Sequence, residues 1–194
     1  MSKLSKEKKL HIIKAAAKRF DKHGINKTTL NEIARDLRIG KATLYGYFTS
    51  KEDIFFSVLD WEGSQYLEDI KSIFDKDEVS LVDRFLEYFK SKDNLSQKYK
   101  LMNDSILQVL DDKGLEIELV FVKNLLTNEE EFIKSILVKS KGIKQASLDP
   151  SLPLYLVLKS WGLSFGIKLQ ALALPDSKFD MKEALLRDVD NFLN

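Results

Sequence analysis

The chain has 194 residues, of which 44% are hydrophobic and 31% charged, with three prolines and eight glycines; this is enough to bury one core or two, and the composition leans helical. It holds no cysteine and only two histidines, His11 and His23, which excludes disulfides, thiolate metal sites and cysteine nucleophiles and leaves little room for histidine chemistry. The formal charge of +1 conceals an asymmetry: residues 1–49 carry twelve Lys/Arg against four Asp/Glu, a net +8 that leaves −7 for the remainder, and a basic segment of this kind suits a polyanion, because each phosphate contact releases condensed counterions.

Met1 to Lys9 is polar and basic and lacks an apolar core of signal-peptide length, so a cytoplasmic protein is expected. Apolar residues then recur at helical spacing along the chain, with no sustained strand alternation, which predicts an all-α fold of about nine helices. The first helix is expected over Ser5 to Lys22, with Ile12, Ile13, Ala16, Ala17 and Phe20 facing inward and Gly24 placed for a left-handed C-terminal cap. Two short helices follow, about Leu30 to Leu37 and Lys41 to Phe48, linked only by Arg38, Ile39 and Gly40. Thr29 and Glu32 have capping-box spacing before the first of them. Ser50 and Asp53 open a long helix through about Phe74. Five further helices are predicted over about 80–91, 95–111, 115–141, 151–173 and 180–193, punctuated by Gly142, Pro150 and the 175–177 stretch.

Two short helices on a three-residue link, preceded by a stabilising helix, make the helix-turn-helix arrangement that places its second helix in a DNA major groove. Ile33, Ala34 and Leu37 can pack on Ile39, Leu44 and Phe48, which turns Lys41, Ala42, Thr43, Tyr45 and Tyr47 outward. Lysine, threonine and tyrosine side chains on one exposed face are suited to phosphate and base-edge contact.

The runs Thr28 to Ala34, Ile39 to Phe48 and Ser50 to Asp53 resemble the DNA-binding signature of the TetR family, which reads approximately T-T-hydrophobic-x-x-I-A, G-V-S-K-G-T-L-Y-x-Y-F and x-S-K-E-x-L. The likeness covers about residues 8–56. Arg38 stands where that signature usually has a glycine, Gly40 where it has a serine, Ala42 where it has a second glycine, and Gly46 where a histidine is frequent. The resemblance implies a sequence-specific DNA-binding transcription regulator, a homodimer on a palindromic operator, acting as a repressor released by a small molecule. It implies that Lys41, Ala42, Thr43, Tyr45 and Tyr47 face DNA and that Thr29 and Lys51 grip phosphates from the starts of their helices. It further implies a division into a DNA-binding domain, residues 1–49, and a ligand-binding and dimerisation domain, residues 50–194.

Within the second part, Gly162 and Gly166 put two small residues on one helix face, a spacing that lets backbones approach across a dimer interface. Met102, Phe121 and Trp161 fall mid-helix in segments expected to surround a cavity and are the expected lining of an apolar or aromatic effector site. The apolar stretch Leu152 to Leu174 is interrupted by Lys159, Lys168 and Gln170, which predicts a buried helix rather than a membrane span. No nucleophile–base pair, phosphate loop or metal-ligand spacing is present, so no enzymatic activity, cofactor or metal is expected. The competing reading is a helical adaptor or hydrophobic-ligand carrier whose basic end binds acidic partners without sequence preference.

Overall fold

The computed structural model describes residues 3–141 and 149–173, together with positions 183 and 187. Among the described residues every regular element is an α-helix: α1 (Lys3–His23), α2 (Leu30–Asp36), α3 (Lys41–Tyr45), α4 (Lys51–Phe74), α5 (Leu81–Lys98), α6 (Lys100–Leu110), α7 (Glu116–Lys141) and α8 (Leu152–Ala173). The helix expected over 180–193 lies outside the described residues, apart from Glu183 and Arg187, which are helical and exposed. Two compact units divide the chain, one of residues 1–65 and 99–123, the other of residues 66–98 and 124–194. Helices α4 and α7 contribute to both.

In the first unit, the i, i+3, i+4 stripe of α1 is buried as its spacing predicts, from Ile12 to Phe20. Ile33 and Ala34 of α2, Leu44 of α3 and Ile54, Phe55, Val58 and Leu59 of α4 complete that core. Phe20 meets Phe55 edge to face at 5.4 Å. Arg19 ties α1 to α2 by pairing with Glu32 at 2.8 Å and Asp36 at 2.6 Å. Two further helix starts are closed by carboxylates. Tyr99, at the N-cap of α6, gives no side-chain cap, and the Glu62 carboxylate accepts the Met102 N–H at 2.9 Å instead. Glu118 accepts the Leu115 N–H ahead of α7 and the Ser105 hydroxyl, each at 2.8 Å.

The second unit is built around aromatic residues, with α5 packed along α8. Phe74 contacts Phe85 at 5.1 Å, Tyr88 at 5.7 Å and Phe132 at 5.7 Å between ring centroids. The sequence predicts one helix ending near 91 and the next starting near 95, whereas α5 continues to Lys98 and breaks at Tyr99 (φ −117, ψ 66). The reason is that Lys92 extends the inner face formed by Phe85, Tyr88 and Phe89 and is itself fully buried.

The capping box ahead of α2 is formed as expected: Thr29 N–H donates to Glu32 Oε2 at 2.9 Å, and Glu32 N–H donates to Thr29 Oγ1 at 3.3 Å. Thr29→Ala is therefore expected to destabilise the first unit by about 1 kcal/mol in urea unfolding, and Thr29→Ser to restore it.

Candidate nucleic-acid interface

Gly24 adopts φ +75 after α1, the left-handed cap its position predicts, and its N–H bonds to the Phe20 carbonyl at 2.7 Å. Its own carbonyl accepts the hydroxyl of buried Thr28 at 2.8 Å, which fixes the approach to Thr29 and α2.

The turn between α2 and α3 closes in a Schellman arrangement. Ile39 N–H reaches the Ala34 carbonyl and Arg38 N–H the Arg35 carbonyl, both at 3.0 Å. Arg38 occupies the left-handed position at φ +54, where a glycine is usual. That conformation costs an L-residue roughly 1–2 kcal/mol, and the two backbone bonds hold it. The guanidinium side chain of Arg38 is thereby carried on the exposed turn directly ahead of α3.

Helix α3 is shorter than its sequence suggests. It ends at Tyr45 rather than Phe48, because Gly46 weakens helix continuation and both Tyr47 N–H and Phe48 N–H turn back to the Leu44 carbonyl, at 3.0 and 3.1 Å. This tight turn drives Phe48 into the core, where it is 2% exposed beside Leu44 at 1%. Lys41, Ala42 and Thr43 are left exposed, Tyr45 is 52% exposed and Tyr47 is half-buried. Five consecutive residues thus place one leucine inward and four side chains outward.

The two residues assigned to phosphate contact are placed differently. Thr29 is exposed with its hydroxyl engaged by Glu32. Lys51 is half-buried, and its ammonium donates to the Ile25 carbonyl at 2.9 Å, tying the start of α4 to the loop after α1. No sequence signal marked that tie, because the acceptor is a backbone group 26 positions away. Thr49 N–H donates to Asp53 Oδ2 at 2.8 Å while Asp53 N–H donates to Ser50 Oγ at 3.0 Å, the cap expected from the Ser50 to Asp53 spacing. Lys6, Lys8, Lys27, Arg35 and Arg38 are all exposed, so the +8 charge of residues 1–49 is presented largely to solvent.

Of the residues expected to line an effector site, Met102 and Phe121 are buried in the first unit and Trp161 in the second. Trp161 belongs to a polar cluster that sequence reasoning did not assemble. Glu129 of α7, fully buried, accepts the hydroxyls of Tyr66 and Tyr88 on Oε1, each at 2.7 Å, and the Trp161 indole N–H on Oε2 at 3.2 Å. Lys92 of α5 donates to Glu129 Oε1 and to the Tyr66 hydroxyl. Its ammonium stands 4.8, 4.7 and 4.3 Å from the ring centres of Tyr66, Tyr88 and Trp161. Burial pulls the Lys92 pKa down to about 8 against the pull of Glu129, and burial pushes both tyrosines well above their ordinary value. Among the described residues, no helix is long and apolar enough to cross a membrane.

Residues 12–58 match the family described as bacterial regulatory proteins, tetR family. An HTH-type transcriptional regulator of Staphylococcus aureus is 31% identical over 120 residues, 59% of this chain and 55% of the relative, so the matched chain spans about half the length of that curated relative. Among solved structures, the transcriptional regulator FadR from Bacillus subtilis in complex with stearoyl-CoA superposes with a TM-score of 0.62 at 18% identity, over 95% of this chain and 99% of that one. A regulator of the TetR/AcrR family from Thermobifida fusca gives 0.60 at 19% identity, over 97% of each chain. These structural likenesses speak to the fold, and the signature between Thr28 and Asp53 speaks to the sequence. The chain thus carries, over residues 12–58, a segment that matches the tetR family of bacterial regulatory proteins, and over nearly its whole length a fold like that of a TetR/AcrR-family regulator.

Proposed function

We propose that this protein is a homodimeric transcription repressor that reads a palindromic operator through α3 and is released from it by a small apolar or aromatic effector. The observation that carries the DNA-reading part is the division of α3. Leu44 is anchored in the core while Lys41, Ala42, Thr43 and Tyr45 stand outward from it. In this reading Lys41 and Tyr45 contact base edges or nearby phosphates, Thr43 and Ala42 approach the groove, and half-buried Tyr47 supports the edge of the surface. Thr29 and Lys51 flank it at the phosphates; the ammonium of Lys51 carries three donors, of which the Ile25 carbonyl takes one. Residues 1–49 form the DNA-binding part, and residues 50–194 bind the effector and dimerise.

The dimer is supported by α8, where Leu154, Tyr155 and Leu158 are exposed and an added Cβ at Gly162 would meet nothing within 4 Å. An effector is supported by the stearoyl-CoA bound to the Bacillus subtilis regulator of similar fold. A two-fold dimer reads two half-sites, so its operator is an inverted repeat.

Selection of bound sequences from a random duplex pool at near-physiological salt tests the DNA reading, because non-specific binding is suppressed there. An enriched inverted repeat is the expected result. Recovery of no motif, with binding that vanishes as salt rises, would replace this reading with an adaptor or carrier whose basic end holds acidic partners.

A further inference from the structure

We infer that Tyr66, Tyr88, Trp161 and Glu129 form an organic-ammonium site in the second unit, occupied at rest by the protein's own Lys92, and that the effector is a lipophilic cation that displaces it. The inference deepens the effector reading and rests on it for its regulatory consequence.

One carboxylate and the rings of Tyr88 and Trp161, with centres at 4.7 and 4.3 Å, surround a single ammonium that Tyr66 meets through its hydroxyl. Ring faces carry negative quadrupole potential, and cages of this composition are how proteins recognise alkylammonium groups. The walls are positioned independently of the lysine. Both tyrosine hydroxyls and the indole N–H converge on Glu129, and Ser160 Oγ lies 3.1 Å from the Tyr88 hydroxyl. Removing Lys92 therefore leaves Glu129 with three donors and the rings still directed by them.

The occupant, by contrast, sits on a flexible four-carbon stem. Its charge is weakly held: burial pulls its pKa down to about 8, so the side chain can leave the cage as a neutral amine, whereas a quaternary ammonium cannot shed its charge. The sign of the site follows from what stays behind. With Lys92 withdrawn, a carboxylate and the rings of Tyr88 and Trp161 remain, which favour a cation and oppose a carboxylate or phosphate head group. The titratable groups facing Lys92 are Glu129, Tyr66 and Tyr88, and the two tyrosines stay protonated in this environment.

The test is calorimetric titration of the full chain with benzyltrimethylammonium, beside phenylacetate and benzyl alcohol as anionic and neutral counterparts. The wild type is expected to prefer the ammonium, and to bind it more tightly at pH 9 than at pH 7 as Lys92 gives up its proton. Lys92→Met, which removes the competing charge but keeps the length of the stem, is expected to bind about 10-fold tighter at pH 7 and to lose the pH dependence. Trp161→Leu is expected to weaken binding severalfold. Equal binding of the anion, or wild-type affinity that is flat between pH 7 and 9, would overturn the inference, and both are read on the unmodified protein. These titrations contain no DNA, so their failure is separable from failure of the operator selection.

Discussion

Replacing Lys41 and Tyr45 together by alanine is expected to lower sequence-specific duplex affinity by about 100-fold or more while leaving helicity, stability and self-association unchanged. Each side chain that reads a base edge contributes roughly 1–3 kcal/mol, so losing two removes most of the discrimination between an operator and random sequence. Neither side chain holds the fold: Lys41 is exposed and Tyr45 is 52% exposed, and exposed substitutions of this kind stay within about 0.5 kcal/mol. Leu44, between them, supplies the contrast. It is 1% exposed, so Leu44→Ala should cost roughly 2–5 kcal/mol and lose DNA binding through loss of the unit. Gel shift with operator and random duplex, beside urea unfolding of the same samples, separates the two behaviours. Unchanged operator affinity in the double variant would remove α3 from the interface.

The capping and turn geometry of the first unit was legible because it is local. Thr29 with Glu32, Ser50 with Asp53, and Gly24 each act within four residues, and all three form as their spacing predicts. Arg38 was legible only as a departure. The sequence shows a non-glycine at the turn, but the two backbone bonds that keep it left-handed are visible only in the fold. The end of α3 was misplaced because tyrosine and phenylalanine continue the apolar spacing past Gly46, while the chain uses Phe48 to close the turn.

The cluster around Glu129 was missed for a different reason. A lysine and a glutamate in charged helices are ordinarily read as solvated, and Lys92 and Glu129 are 37 positions apart. Their signal was positional. Phe85, Tyr88, Phe89 and Lys92 share one helix face, and Glu129 interrupts the stripe Phe121, Leu125, Ile133 and Leu137, every member of which is buried. A charged residue at a core position of an otherwise apolar stripe requires a partner, and two such residues on different helices are natural candidates for each other.

That pairing makes Glu129→Leu the most damaging single substitution expected in the second unit, at about 3–5 kcal/mol, because it leaves a buried ammonium and two tyrosine hydroxyls without their acceptor. Lys92→Met should cost less, since the Glu129 carboxylate keeps its bonds from Tyr66, Tyr88 and Trp161. The double variant should then lose less than the sum of the singles, as it removes both charges at once. The alkaline profile distinguishes this from a simple packing defect. The folded state holds Lys92 at about 8, below its unfolded value, so between there and about pH 10 the unfolded chain binds more protons and stability rises with pH. Tyr66 and Tyr88 act with the opposite sign. Their folded pKa values are raised, so their contribution is complete below about pH 10 and is lost as pH climbs beyond it. Wild-type unfolding free energy should accordingly carry a rise from about pH 8 that turns over near pH 10. Lys92→Met should lose the rise and keep the fall, and a rise surviving in that variant would assign it to a group other than Lys92.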